Sequence, residues 1–204
     1  MTRFTSHPYV IGKRLGMKNK MKKGEYGYLL NKKKVSIIMT IGMFAISLAL
    51  YIAGYVTTKT NANLLTVVAV LGCLPASKSA VNMIMFLKAK GCLPKDKEAI
   101  DRAIGSLDGY YDLYFTSYQK NFPINHLVVT QNAIIAYSSD EKIVEKEFNE
   151  HMKDILNKER IQDITVKLFK DREKYINRLN ELNQSEADTS ARKDIVSMLY
   201  SVSL

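Results

Sequence analysis

The feature that most limits what this chain can fold into is a run of 22 residues without a charged side chain, Val35 to Val56. As a helix rising about 1.5 Å per residue, this run would be about 33 Å long, enough to cross a hydrocarbon core of ~30 Å. Thr40 and Ser47 are too few to give such a helix a hydrated face. We therefore predict a membrane span at 35–56.

A second apolar segment, 64–87, contains Pro75, Lys78 and Asn82. Two structures are consistent with it: one kinked span, or a shorter span ending near Ser77 and followed by a helix in the membrane interface. A re-entrant segment is a third alternative. A charge at mid-membrane costs on the order of 3 kcal/mol, but lysine can extend its amine toward the headgroups. We interpret Lys78 in this way, and a counter-ion for a transported solute is the alternative interpretation.

The positive charge of the chain is concentrated before the first apolar run. Of a net charge of +10, residues 1–34 contribute ten basic side chains against one acidic side chain, whereas 88–204 carry 18 basic and 19 acidic ones. The positive-inside rule then places both termini in the cytoplasm and the short loop between the spans outside. The sequence thus predicts a multi-pass protein of a bacterial-type plasma membrane.

The basic arm, residues 1–34, is also expected to bind anionic lipid headgroups, at ~1 kcal/mol per near-surface charge. Nucleic acid is not an expected partner, because the basic excess flanks a span instead of covering a domain. The lipid-facing candidates on this arm are Lys22, Lys23, Lys32, Lys33 and Lys34.

The two spans make up a predicted transmembrane hairpin, residues 35–90. The composition of residues 91–204 is that of a small soluble α/β or α+β domain. Hydrophobic periods of 3.6 and 2 predict the order helix, three strands, helix, strand, helix, helix. The segments are 96–107, 110–118, 124–130, 133–138, 141–161, 163–170, 171–183 and 186–200. Gln131 and Asn132 would form a two-residue turn between the second and third strands, since Asn tolerates a positive φ.

Strict alternation along the first strand would place Tyr111, Leu113 and Phe115 on one face. The other face would then carry a candidate binding surface for a base, a glycan or a partner strand. That surface would be formed by Tyr110, Asp112, Tyr114 and Tyr118, with His126 on the next strand. The simpler interpretation is that the tyrosines cover a half-buried sheet.

The hairpin INHLVVTQNAIIAYSSD, together with the element order from 96 to 170, resembles the restriction-endonuclease-like core of the nuclease-related (NERD) domain. In that family an Asp, a Glu and a Lys on the hairpin hold a divalent metal and activate water for phosphodiester cleavage. The corresponding positions here hold Asn125, Ser138 and Asp140. The resemblance therefore implies the fold without the catalytic residues. If the domain were nevertheless a nuclease, its candidate residues would be Asp112, Asp140, Glu141 and Lys142.

No other pattern in the sequence indicates catalysis, a cofactor or a metal. Cys92 and His126 could be imagined as a nucleophile and base, but no spacing selects them, and no disulfide with Cys73 is expected. We expect a non-catalytic binding or scaffold domain at the inner membrane face, with a protein partner or a second copy of the chain as further binding partners. The alternatives are a divergent metal-dependent nuclease and a small transport-associated subunit.

Overall fold

The computed structural model describes residues 21–60, 63–117, 120–184 and 191–204. They form a mixed α/β structure whose element order from α3 onward is the predicted one. The elements are α1 (Tyr28–Thr58), α2 (Leu64–Lys88), α3 (Pro94–Ala103), β1 (Gly109–Thr116), β2 (Asn121–Val129), β3 (Ala133–Tyr137), α4 (Glu145–Lys158), β4 (Thr165–Phe169), α5 (Arg172–Gln184) and α6 (Lys193–Val202).

Helices α1 and α2 form a hairpin and are both long and apolar enough to cross a membrane. α2 is continuous through Pro75 to Lys88, so the described chain has a single second helix and no separate interfacial one. α1 begins at Tyr28, seven residues before the uncharged run. Lysines are good helix formers, so residues 32–34 continue the helix although they end the apolar segment.

Small side chains form the seam between α1 and α2. Within the hairpin, α1 buries Thr40, Ser47 and Gly54, and α2 buries Ala69 and Ala76, in both cases at intervals of seven residues. Seven residues are about two helical turns, so these positions make one stripe along each helix. Such residues allow two helix backbones to approach closely.

Two direct contacts cross this seam. The hydroxyl oxygens of Thr40 and Ser79 are 2.9 Å apart, at hydrogen-bond distance. A Cβ added at Gly72 would lie 2.8 Å from the Ser47 hydroxyl oxygen, closer than real Cβ contacts. Gly72 is therefore a point at which a side chain on α2 would have to displace the Ser47 hydroxyl.

The outside of the hairpin carries the large apolar side chains. Among the described residues, every exposed large apolar side chain except Leu93 and Val144 lies between Leu30 and Leu87. A soluble protein would cover an apolar surface of this extent. Lys78 and Asn82 are also exposed, one helical turn apart on α2 and away from the seam.

The four strands form one sheet in the order β1-β2-β3-β4. β1 and β2 are antiparallel, β2 and β3 are the predicted antiparallel hairpin, and β4 is parallel to β3. The parallel pairing follows from α4, which crosses back between them as in a βαβ unit. The hairpin turn lacks the expected positive φ, because neither Gln131 nor Asn132 is among the described residues with one.

Helices cover both faces of the sheet. On one face the core is built from strand residues with Phe148 and Met152 of α4 and Ile195 and Leu199 of α6. On the other face, α3 and α5 pack through a second cluster. Its buried members are Cys92, Ile100, Ala103, Leu107, Tyr111, Val128, Ile135, Tyr137, Tyr175 and Leu179.

β1 changes face at Asp112, and the predicted alternation along this strand is therefore wrong. Leu113 belongs to the cluster under α4 and α6, whereas Tyr111 belongs to the cluster under α3 and α5. Asp112 lies between them with a φ of 54°. A single left-handed residue reverses the direction of the following side chains, and Asp is among the few residue types that tolerate it.

The predicted first helix of the domain is also too long, since α3 ends at Ala103 instead of Leu107. Gly105 has a φ of 55° and follows the helix end, the usual place for a left-handed glycine. Gly109 begins β1 and lies against His126.

We expect Gly72→Leu to destabilise the hairpin by about 1–3 kcal/mol, because a larger side chain overpacks the seam at Ser47. Gly42→Leu is the matched control, since a Cβ at Gly42 meets nothing within 4 Å. The measurement is unfolding of the full chain in mixed micelles titrated with a denaturing detergent. Equal effects of the two substitutions would contradict the proposed seam.

Candidate functional site

In the β2–β3 hairpin, the positions at which the sequence resemblance would place metal ligands are used for backbone hydrogen bonds. The Asn125 side-chain oxygen accepts a 2.6 Å hydrogen bond from the Ser139 N–H. The Ser138 hydroxyl donates a 2.6 Å hydrogen bond to the Pro123 carbonyl. Both side chains are buried, so they brace β2 and β3 against each other.

The other candidate nuclease residues do not converge. An Asp140 carboxylate oxygen accepts from the Lys142 N–H at 3.1 Å, which closes a local turn, while Glu141 and Lys142 are exposed. Asp112 is engaged with backbone groups near α1 and α2. No group of three or more His, Cys, Asp or Glu residues among those described could hold a metal ion.

His126 is fully buried, and its Nδ1 lies 2.6 Å from the Tyr175 hydroxyl. Its ring also packs on Tyr111, with ring centroids 4.4 Å apart. Burial lowers the pKa of His126 to about 3, so the ring is neutral at physiological pH. Its Nε2 has no hydrogen-bond partner within the described residues. This is a core histidine with no route to a substrate.

The Cys92 thiol is buried as well, and burial raises its pKa to about 12, with the nearby Asp112 charge as a smaller cause. The thiolate is the nucleophilic form of cysteine. A protonated thiol and a neutral, enclosed histidine do not make a nucleophile and base, so Cys92 and His126 are structural.

The tyrosines of β1 do not share an exposed face. Tyr110 packs edge to face with Tyr200 of α6, with ring centroids 5.8 Å apart. Tyr114 is buried against the α1–α2 hairpin, in a cluster with Tyr28 and Phe86. Tyr118 lies outside the described residues. The predicted tyrosine surface is therefore divided between two packing interfaces.

The Asp112 carboxylate joins the hairpin to the sheet. One oxygen accepts from the Gly27 N–H and the other from the Cys92 N–H, both at 2.7 Å. Gly27 immediately precedes α1, and Cys92 follows the end of α2 at Lys88. One side chain thus holds both connections between the hairpin and the domain. We call this arrangement the Asp112 clamp.

The clamp is enclosed. Asp112 is 2% exposed, and burial raises its pKa while its two backbone hydrogen bonds oppose that effect. A Cβ at Gly91 would lie 3.2 Å from an Asp112 carboxylate oxygen, so the chain after α2 passes close to the carboxylate. From the sequence, Asp112 was expected only as a candidate nuclease residue or as part of a tyrosine-rich binding surface. The available signal was a single acid in the middle of an aromatic, apolar strand.

The free edge of β1 is covered by the segment before α1 and by the chain end after α6. The Tyr111 N–H donates to the Gly24 carbonyl at 2.8 Å, and the Leu204 N–H donates to the Tyr114 carbonyl at 2.9 Å. Lys23, predicted to face lipid, instead donates to the carbonyls at the end of α6. An uncovered edge strand is a template for aggregation, which this arrangement prevents.

A cleft of about 580 Å³ opens beside the clamp, between the ends of α1 and α2 and the start of α3. We call it the junction cleft. Its polar side includes Lys33 and Lys90, and its apolar side includes leucines from both helices. It is lined by Tyr26, Leu30, Lys33, Leu87, Ala89, Lys90, Gly91, Cys92, Leu93, Pro94 and Ser139.

Of the remaining basic candidates, Lys33 lines this cleft. Lys33 donates to the Leu87 carbonyl at 3.2 Å, which caps the end of α2. The Lys32 amine lies 5.5 Å from the centre of the Tyr28 ring. Lys22 and Lys34 are exposed.

Comparison of the chain with protein-family models, with curated proteins and with solved structures finds no match.

We expect Asp112→Ala to destabilise the full chain by on the order of 3 kcal/mol. Two backbone N–H groups lose a charged acceptor. In addition, alanine must adopt the positive φ of this position, which Gly, Asn and Asp tolerate better. Asp112→Asn should cost roughly half as much, since an amide retains one acceptor and tolerates this φ. The measurements are thermal unfolding in micelles and protease cleavage near residues 24–27 and 90–93. Asp108→Ala, at an exposed site, is the control. A loss of stability in Asp108→Ala as large as that in Asp112→Ala would contradict the clamp.

Stability should also fall as the pH is lowered from about 6.5 toward 3, because the unfolded chain protonates His126 in this range and the folded chain does not. The slope contributed by this residue is up to about 1.4 kcal/mol per pH unit. His126→Gln should remove this slope, whereas His151→Gln, at a half-buried site, should leave most of it. Denaturant titrations across the range provide the measurement. An unchanged slope in His126→Gln would show that His126 is not neutral in the folded chain.

Proposed function

We propose that this chain is an integral membrane protein of two spans that holds its α/β domain against the inner face of the membrane and acts there by binding. The observation that carries the proposal is the placement of side chains on the α1–α2 hairpin, which is the reverse of that in a soluble protein. Large apolar side chains cover its outside, and small residues form its seam. Because lipid is as apolar as leucine, small residues are the usual contacts between helices in a bilayer.

The distribution of lysines supports cytoplasmic termini. Residues 32–34 at the start of α1, with Lys88 and Lys90 near the end of α2, lie at the end of the hairpin that carries the domain. The opposite end has Lys59. The end richer in lysine is expected on the cytoplasmic side. The same lysines provide a diffuse attraction for anionic lipid.

The Asp112 clamp supports a role in which the position of the domain matters. A domain attached through one flexible linker could sample many orientations. Here two chain segments pass the sheet beside one buried carboxylate, and the buried cluster of Tyr28, Phe86 and Tyr114 fills the joint. The domain is held in one orientation relative to the hairpin, as an assembly or scaffold protein requires.

The hydrogen bonds of the β2–β3 hairpin support a non-catalytic role for the domain. Asn125 and Ser138 are committed to backbone groups, and neutral oxygens are poor substitutes for the carboxylates that Mg²⁺ prefers. Metal-dependent cleavage of DNA or RNA by the full chain, abolished by Asp140→Asn, would instead favour the nuclease alternative. A transport path lined by Lys78 would have to form between several copies, because this residue faces outward from a single hairpin.

The orientation can be tested by thiol labelling of intact cells with a membrane-impermeant maleimide. In a background with Cys73→Ala and Cys92→Ala, Lys59→Cys should be labelled from outside. Ser139→Cys, exposed on the domain, should be labelled only after permeabilisation. Both positions are exposed, so each serves as the accessibility control for the other. Labelling of Ser139→Cys in intact cells would overturn the proposed orientation, and extraction of the chain by carbonate would overturn membrane integration.

A further inference from the structure

The junction cleft lies where the apolar surface of the hairpin meets the polar domain. Its walls come from the first turns of α1, the last residues of α2 and the loop that leads to α3. If the hairpin spans the bilayer, as proposed above, this is the level of the inner-leaflet headgroups. The inference below rests on that proposed function.

The charge within the cleft is uncompensated. Neither Lys33 nor Lys90 forms an ion pair with any residue that the structure describes. No carboxylate is among the lining side chains. The Asp112 carboxylate contacts the backbone of the cleft wall at Cys92, but it is almost completely buried and both its oxygens are occupied. The cleft is thus complementary to an anion.

Three exposed leucines form an apolar part of the cleft rim. Leu30, Leu87 and Leu93 are 54%, 42% and 56% exposed. Leu93 is one of two exposed large apolar residues of the described chain outside the region from Leu30 to Leu87. A free anion would not use these three side chains, whereas an amphiphile would bury part of them.

The donors of the cleft suit a phosphate group. The Lys33 amine has three protons and uses one on the Leu87 carbonyl, and Lys90 has no hydrogen bond to any described side chain or backbone group. The Ser139 hydroxyl, also on the lining, adds a neutral donor. Lysine is a common phosphate binder as a point charge, and two lysines match the single charge of a phosphodiester with additional donors to spare.

We infer that the junction cleft binds the phosphate of an anionic phospholipid from the adjacent leaflet. Lys33 and Lys90 contact the phosphate, and the first methylenes of the acyl chains lie along Leu30, Leu87 and Leu93. Binding at this position adds a lipid contact to the joint that the Asp112 clamp already holds. The cleft therefore couples the lipid composition of the leaflet to the stability of the joint.

The test uses the purified full chain in micelles of a neutral detergent, doped with phosphatidylglycerol or phosphatidylcholine, and native mass spectrometry to count retained lipids. We expect phosphatidylglycerol to be retained about thirtyfold more tightly, on the basis of ~1 kcal/mol for each of the two lysines at the phosphate. Lys33→Gln with Lys90→Gln should remove most of this preference. Lys34→Gln with Lys88→Gln is the matched control, because it removes the same charge at the same helix ends outside the cleft.

Lys90→Gln alone provides a second variant, since Lys90 makes no described hydrogen bond that folding would miss; it should remove part of the preference. An equal loss in the control pair would overturn the inference, because the attraction would then be diffuse. Equal retention of the two lipids would also overturn it. Full competition by inorganic phosphate or glycerol 3-phosphate would assign the cleft to a soluble phosphate and overturn the lipid assignment. The micelle measurement does not depend on orientation, so its failure is distinguishable from failure of the labelling experiment.

Discussion

The arrangement of the α1–α2 hairpin relative to the sheet depends on the two hydrogen bonds that the Asp112 carboxylate accepts. A buried carboxylate is costly unless its oxygens are hydrogen-bonded, and here the partners are backbone N–H groups on the two segments that border the hairpin. Any displacement of either segment would leave a buried charge with an unpaired oxygen. The hairpin and the sheet are therefore energetically coupled through a single residue.

The same position on β1 accounts for several other features of the fold. The positive φ of Asp112 turns Tyr111 toward α3 and α5 and Leu113 toward α4 and α6, so each layer of helices receives an aromatic or aliphatic contact from this strand. The free edge of the strand is then covered by the segment before α1 and by the segment after α6. The junction cleft is formed beside this point, because the chain between α2 and α3 must pass close to the carboxylate.

The element order of the domain was predictable because the periods of 2 and 3.6 residues are local properties of the chain. The boundaries of the helices were less predictable. α1 includes the lysines at 32–34, and α3 ends just before a left-handed glycine that the hydrophobic period does not indicate. The functional residues were predicted by type but not by role. Asp112 was among the candidate residues of a nuclease and of a tyrosine-rich binding surface, whereas the tertiary structure makes it the acceptor for two distant N–H groups.

By itself, the sequence determined two long apolar helices, the asymmetric distribution of lysines and an α/β domain, because charge, hydropathy and periodicity are read residue by residue. Only the tertiary structure decided the seam at Thr40, Ser47 and Gly54, the change of face at Asp112 and the cleft between Lys33 and Lys90. Each of these depends on which segments, up to 85 residues apart in the case of Gly27 and Asp112, come into contact. Contacts of that kind are selected by the packing of the whole chain, and the spacing of residues within one segment does not specify the partner segment.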